Sequence, residues 1–167
     1  MSGPSTIPTI TIWQPWATLI AEGAKRFEFR SWCPPARLWN TRIGIHAGAR
    51  PTRKDELKGM LLALRQGEAS WMAMQPAIAI PILERALQDP KALPLSSVVC
   101  TAVLGRPLRN RELAAALGTE FINDSDRDEH SNYGWPLTEI QKVVPFAPAK
   151  GSQGWWEWRP AQGGDHG

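Results

Sequence analysis

One tyrosine, three histidines and two cysteines are all that 167 residues hold of those types, and each scarcity removes a chemistry. Cys33 and Cys100 are too few and too far apart for a disulfide framework or a zinc knuckle, so both are expected as free thiols. His46, His130 and His166 are scattered, with neither cysteine at ligand spacing, which leaves no candidate metal site. The segment DSDRDEHSNYG starts like a calcium loop at Asp124, Asp126 and Asp128. Glu129 stands where that loop needs glycine, however, and Trp135 where it needs a bidentate carboxylate. No run approaches the roughly 20 apolar residues of a membrane span, and MSGPSTIPTI has no basic patch leading into an apolar stretch. A cytoplasmic protein without membrane contact is therefore expected. Serine-hydrolase, P-loop and dinucleotide-binding fingerprints are missing too, so no cofactor is implied.

What the chain does have is tryptophan and early basic charge. Nine tryptophans accompany the single tyrosine, and flat π faces serve either as core filling or as platforms for bases. Net charge is only +3, but residues 1–60 hold nine Lys or Arg against four acids, and residues 61–167 hold ten against twelve. A basic N-terminal third suits a surface that meets an anion such as nucleic acid.

Periodicity predicts a mixed α+β chain of about six short strands. TITI at Thr9–Ile12 is β-branched, and QPWATLIAEG reads as a helix with Pro15 near its start and Gly23 at its C-terminal cap. Arg26–Trp32 then alternates, with Phe27 and Phe29 on the face that anchors it and Arg26, Glu28, Arg30 and Trp32 on the other. RIGIHA at Arg42–Ala47 is a third strand. Residues 51–96 read as a mostly helical insertion, its second half interrupted by Pro76 and Pro81. SSVVCTAVL is a buried strand, RNRELAAALG a short helix ending at Gly118, and FINDSDRDEHSNYG a polar loop. Trp135–Gln141, Val143–Ala147 and Trp155–Arg159 read as three further strands, with Trp156 and Trp158 facing a core that Trp13 and Trp16 also help to pack. Residues 161–167 have too little apolar content to order themselves. One domain over residues 1–160, a small mixed barrel with surrounding helices, fits this order.

The chemistry-bearing stretch is EGAKRFEFRSW, Glu22–Trp32. Lys25 could act as a general base if desolvation and Arg30 lowered its pKa, although Glu28 pushes the other way. The alternative is an ion-paired strand face.

The run TIWQPWATLIAEGAKRFEFRSW followed by IGIHAGAR resembles the ASCH domain of the PUA-like superfamily, closest to its transcription-coactivator type. The GxKxxExR pattern appears as Gly23, Lys25, Glu28 and Arg30, the QPWA signature as Gln14–Ala17, and the small-residue strand end as His46 and Ala47. NYGWPLTEIQKV resembles the family's aromatic strand and FAPAKGSQGWWEW its KGxQGxW ending. The resemblance spans residues 9–50 and 97–159 and implies a PUA-like β-barrel whose cleft is lined by the strand after the first helix. It further implies a nucleic-acid partner, with RNA or a modified base favoured and DNA an option. Phosphates would meet Lys25, Arg30, Arg50 and Lys150, and Trp16, Trp32 or Trp135 would stack a base, with Glu28, His46 and Tyr133 beside them. Shorter relatives hydrolyse acylated cytidine with a Lys, a Thr and a Glu. The Lys matches Lys25, but Glu28 occupies the Thr position and the catalytic Glu falls near Tyr133, so that acyl transfer lacks its hydroxyl nucleophile. A hydrolase of modified nucleosides or a metal-independent ribonuclease using Lys25 and Glu28 is the enzymatic alternative, and a protein-interaction module the third.

Overall fold

This computed structural model of the protein describes residues 5–67, 73–118 and 133–161. The expected polar loop up to residue 132 and all but the first residue of the expected tail lie outside these ranges. Seven strands are described: β1 (Ile7–Ile12), β2 (Phe27–Arg30), β3 (Thr41–Ala47), β4 (Ser97–Leu104), β5 (Leu108–Arg109), β6 (Tyr133–Pro148) and β7 (Trp155–Trp158). Four α-helices accompany them: α1 (Trp16–Ala21), α2 (Lys54–Arg65), α3 (Pro76–Gln88) and α4 (Asn110–Leu117).

The strands form one mixed sheet in the order β2-β6-β4-β3-β1-β7, with β5 on β6. β1 and β3 run parallel and the other pairs antiparallel. The path is not closed by hydrogen bonds between its end strands, so the α+β class holds while the sheet itself is open. β5 was not expected, because its two residues are too few to show a period.

α1 carries apolar residues almost all round because it is covered on both sides. Ala17, Ile20 and Ala21 join the main core with Ile10, Ile43, Ile45, Val99 and Leu104. Leu19 instead packs with Leu57, Leu61 and Leu83 of α2 and α3. Its end follows from Gly23. The φ of +79° there lets the N–H of Gly23 reach Ile20 O and that of Ala24 reach Leu19 O, the Schellman pattern that ends a helix.

Three expectations are corrected. α3 runs through Pro81, since Pro76 occupies its first position, where no N–H is needed, and Pro81 costs one hydrogen bond on an exposed face. Trp135–Gln141 and Val143–Ala147 are one strand, because Lys142 stays paired with Cys100 and the register shift between Val98 and Cys100 takes up the next residues, Pro145 included, as an irregularity within the strand. Phe29 does not pack on the main core. It forms a separate cluster with Leu113 and Ala114 of α4, with Phe27 against it. The charged face of β2 is consequently the one turned toward the main core.

Candidate functional site

β2 pairs with the start of β6 so that Glu28 lies opposite Trp135 and Arg30 opposite Tyr133. In a strand pair, directly opposed residues share a face, so these four side chains belong together. The turn after Gly23 adds a fifth. Lys25 N–H bonds Leu19 O, and Lys25 bridges Met74 just ahead of α3, which seats the lysine between α1 and β2.

Lys25 is buried, its side chain 0% exposed. Its Nζ lies 3.4 Å from Glu28 Oε2, 4.6 Å from the Trp16 ring centroid and 5.3 Å from that of Phe29. Glu28, 7% exposed at its side chain, accepts from Arg30 Nε at 2.8 Å through its other oxygen. Arg30 Nη2 donates onward to Thr11 O at 3.1 Å, tying β2 to β1. Glu28 thus bridges two cations, Lys25 on one oxygen and Arg30 on the other, and the accessible end of the group is Arg30, 28% exposed at its side chain.

Trp135 has a different place from that expected of a base-stacking residue. It is fully buried, stacked on Trp155 with centroids 5.9 Å apart and 14° between planes, and edge-on to Trp32 at 4.9 Å. Its Nε1 donates to Trp32 O at 3.2 Å, and Arg30 Cζ lies 6.0 Å from its centroid. It therefore supports the site from behind, while Trp32, 37% exposed, presents the accessible ring. On β7 the packing is correspondingly shared, with Trp155 against the main core, Trp158 buried and Trp156 half-buried.

A family model described as the ASCH domain matches residues 10–122, well over half of the sequence. The chain belongs to the ASCH domain family. ASCH domains are broadly associated with nucleic acids. Among solved structures, the chain is similar to an ASCH protein from Zymomonas mobilis at 20% identity and a TM-score of 0.44, covering 84% of this chain and 72% of that one. A serine-to-alanine variant of the Zymomonas mobilis protein matches at 18% identity and a TM-score of 0.45, covering 86% and 75%. A tyrosine-to-phenylalanine variant matches at 19% and 0.44, covering 84% and 75%. A search of curated proteins gives no match.

Within this ASCH domain the remaining expected residues scatter around the sheet. Tyr133 is half-buried, with Arg109 Cζ 5.6 Å from its ring. Arg50 is paired with Glu56 on α2, and Lys150 is exposed just past β6. His46 is 2% exposed and internally satisfied. Trp156 Nε1 donates to Thr11 Oγ1, that hydroxyl lies 3.1 Å from His46 Nδ1, and His46 Nε2 lies 2.6 Å from Ala149 O. A neutral imidazole with its proton on Nε2 meets every partner, since the Thr11 hydroxyl can then donate to Nδ1. Gly151 explains why the KGSQG turn lies so close, because a Cβ there would come within 2.6 Å of His46 Cε1. The family's small-residue strand end and its glycine turn are thus two sides of one contact. Gln14 of QPWA is likewise structural: its Nε2 donates to Pro94 O and Thr18 Oγ1, and its Oε1 accepts from Thr18 N.

Burial holds the His46 pKa below the ordinary imidazole value of about 6.5, with the Ala149 hydrogen bond opposing in part. In the unfolded chain the ring takes its proton at a higher pH than in the folded one, so stability is whole above about 6.5 and falls as pH drops below it. Thermal melts from pH 8 to pH 5 should show this decline. His46→Gln should flatten it whatever its own stability, and a decline of equal slope in that variant would refute the assignment.

Among the described residues no group of His, Cys, Asp or Glu is arranged to hold a metal, and no helix is long and apolar enough to cross a membrane. A cavity of about 380 Å³ lies away from the charged network, between α2 and the turn after α3, lined by residues such as Leu57, Pro90 and Leu93.

Proposed function

We propose that this ASCH domain binds nucleic acid, with single-stranded RNA or a modified base as the ligand, along the wall formed by β2. The observation that carries the reading is Arg30, fixed by Glu28 and Thr11 O and lying against the Trp135 ring, on which the partly exposed Trp32 ring also packs. A guanidinium held in place loses little entropy on meeting a phosphate, and an adjacent open ring suits a splayed base. Lys25 takes part from within, holding Glu28 in place without touching a phosphate. Lys150 supplies a further exposed cation.

The PUA-like barrel, the transcription-coactivator type, a single domain over residues 1–160 and a cytoplasmic address belong to the same reading. Barrel-like curvature is supported by the Arg30 bond to Thr11, which links β2 to β1, and by the stacking of Trp135 on Trp155, which links β6 to β7. RNA is favoured over DNA because sequence-tolerant stacking on exposed rings suits single strands, which RNA-binding modules commonly target.

Burial of Lys25 against two aromatic rings favours a second reading, an enzyme in which Lys25 serves as base and Glu28 as its acid or base partner in hydrolysis of RNA or of a modified nucleoside. A panel of single-stranded RNA, single-stranded DNA, duplexes and acylated cytidine separates the two. Saturable binding to single strands without product formation supports the binding reading. Time-dependent breakdown that vanishes in Lys25→Ala replaces it with the enzymatic one, and no binding to any member overturns the first.

A further inference from the structure

Trp13 belongs to none of the contacts above, yet it is 58% exposed, the most of any described tryptophan. Its ring is nevertheless held. A Cβ on Gly48 would come within 3.1 Å of Trp13 Cδ1, so the indole lies against the backbone that follows β3. Two residues on, Arg50 places Cζ 4.7 Å from the ring centroid, and Glu56 at the start of α2 holds Arg50 by its guanidinium. The segment after β3 therefore clamps the ring from one side and leaves more than half its surface in water. Along the chain Trp13 stands between Thr11, whose carbonyl accepts from Arg30, and Trp16, whose ring lies beside Lys25 Nζ.

We propose that Trp13 is a second stacking platform, which takes the base of a nucleotide next to the one at Arg30 and Trp32. The ligand is then a strand of at least two nucleotides rather than an isolated base. This rests on the nucleic-acid reading and sharpens it. Large rigid rings stack bases of any identity and give up little conformational freedom in doing so. The Glu56 carboxylate engages both terminal nitrogens of Arg50, so the contribution of this face is stacking rather than phosphate neutralisation. It should therefore leave the salt dependence alone.

The test is titration of a short single-stranded RNA into the wild type, Trp13→Ala, Trp13→Phe and Arg30→Ala across a salt series. Trp13→Ala should bind about 5- to 150-fold more weakly with an unchanged salt slope, and Trp13→Phe should recover most of the loss. Wild-type affinity in Trp13→Ala alongside a weakened Arg30→Ala overturns this inference and leaves the nucleic-acid reading standing. A weakened Trp13→Ala with a shallower salt slope overturns it too, because the ring would then serve only to hold Arg50. Failure of the wild type to bind removes both.

Discussion

Replacing Glu28 by glutamine is expected to lower the stability of this ASCH domain by roughly 3–5 kcal/mol, the usual consequence of removing one partner from a buried ion pair. Lys25 and Glu28 are almost wholly out of water and 3.4 Å apart. Without the carboxylate, Lys25 keeps the two aromatic rings as neighbours and loses its 3.4 Å carboxylate contact. For a chain of this length each kcal/mol moves the melting temperature by about 2–4 °C, so a drop of roughly 6–20 °C is anticipated. Arg30 can turn to water, being partly exposed already. A Glu28→Gln variant that melts within a degree or two of the wild type would show that the pair is not buried as described.

Trp135→Ala should be comparably costly, about 3–5 kcal/mol, as for other large-to-small changes of buried aromatic side chains. The ring touches Trp155, Trp32 and Arg30, and its N–H is bonded to Trp32 O. Trp32→Ala should differ in kind. Its ring is 37% exposed, so the fold should lose about 1 kcal/mol or less while affinity for a single strand falls about 5- to 150-fold. Chemical denaturation and RNA titration of both variants separate the supporting tryptophan from the contacting one. Equal stability losses in the two would contradict that division.

Much of this fold could be read from residue order. Alternation located β2 and β3, a β-branched run β1 and an apolar run β4, and the glycine caps at Gly23 and Gly118 ended α1 and α4 where expected. β6 reads as two strands because the register shift opposite β4 just after Lys142, which also accommodates Pro145, interrupts the alternation along the strand. At the site, the grouping of Lys25, Glu28 and Arg30 was legible, since a carboxylate three residues from one cation and two from another invites pairing. Their depth was not. Lysine is rarely buried, and what buries Lys25 is Trp16 from α1 together with a bridge to Met74, nearly fifty residues away. Tryptophan was the least legible type. Both faces of β2 and of the first residues of β6 are covered, so alternation could not tell that Trp135 fills the core, and Trp13 stands in water between β1 and α1, outside any periodic element.

The proposed function depends on the claim that Arg30 meets a phosphate, and the salt dependence of binding is its test. Affinity for single-stranded RNA should be measured against salt concentration for the wild type and for Arg30→Ala, with folding confirmed by melting. Loss of one phosphate contact should weaken binding and make the slope of log affinity on log salt shallower by about 0.7, the increment for a single strand. An Arg30→Ala domain that is folded and binds with unchanged affinity and slope would contradict the claim.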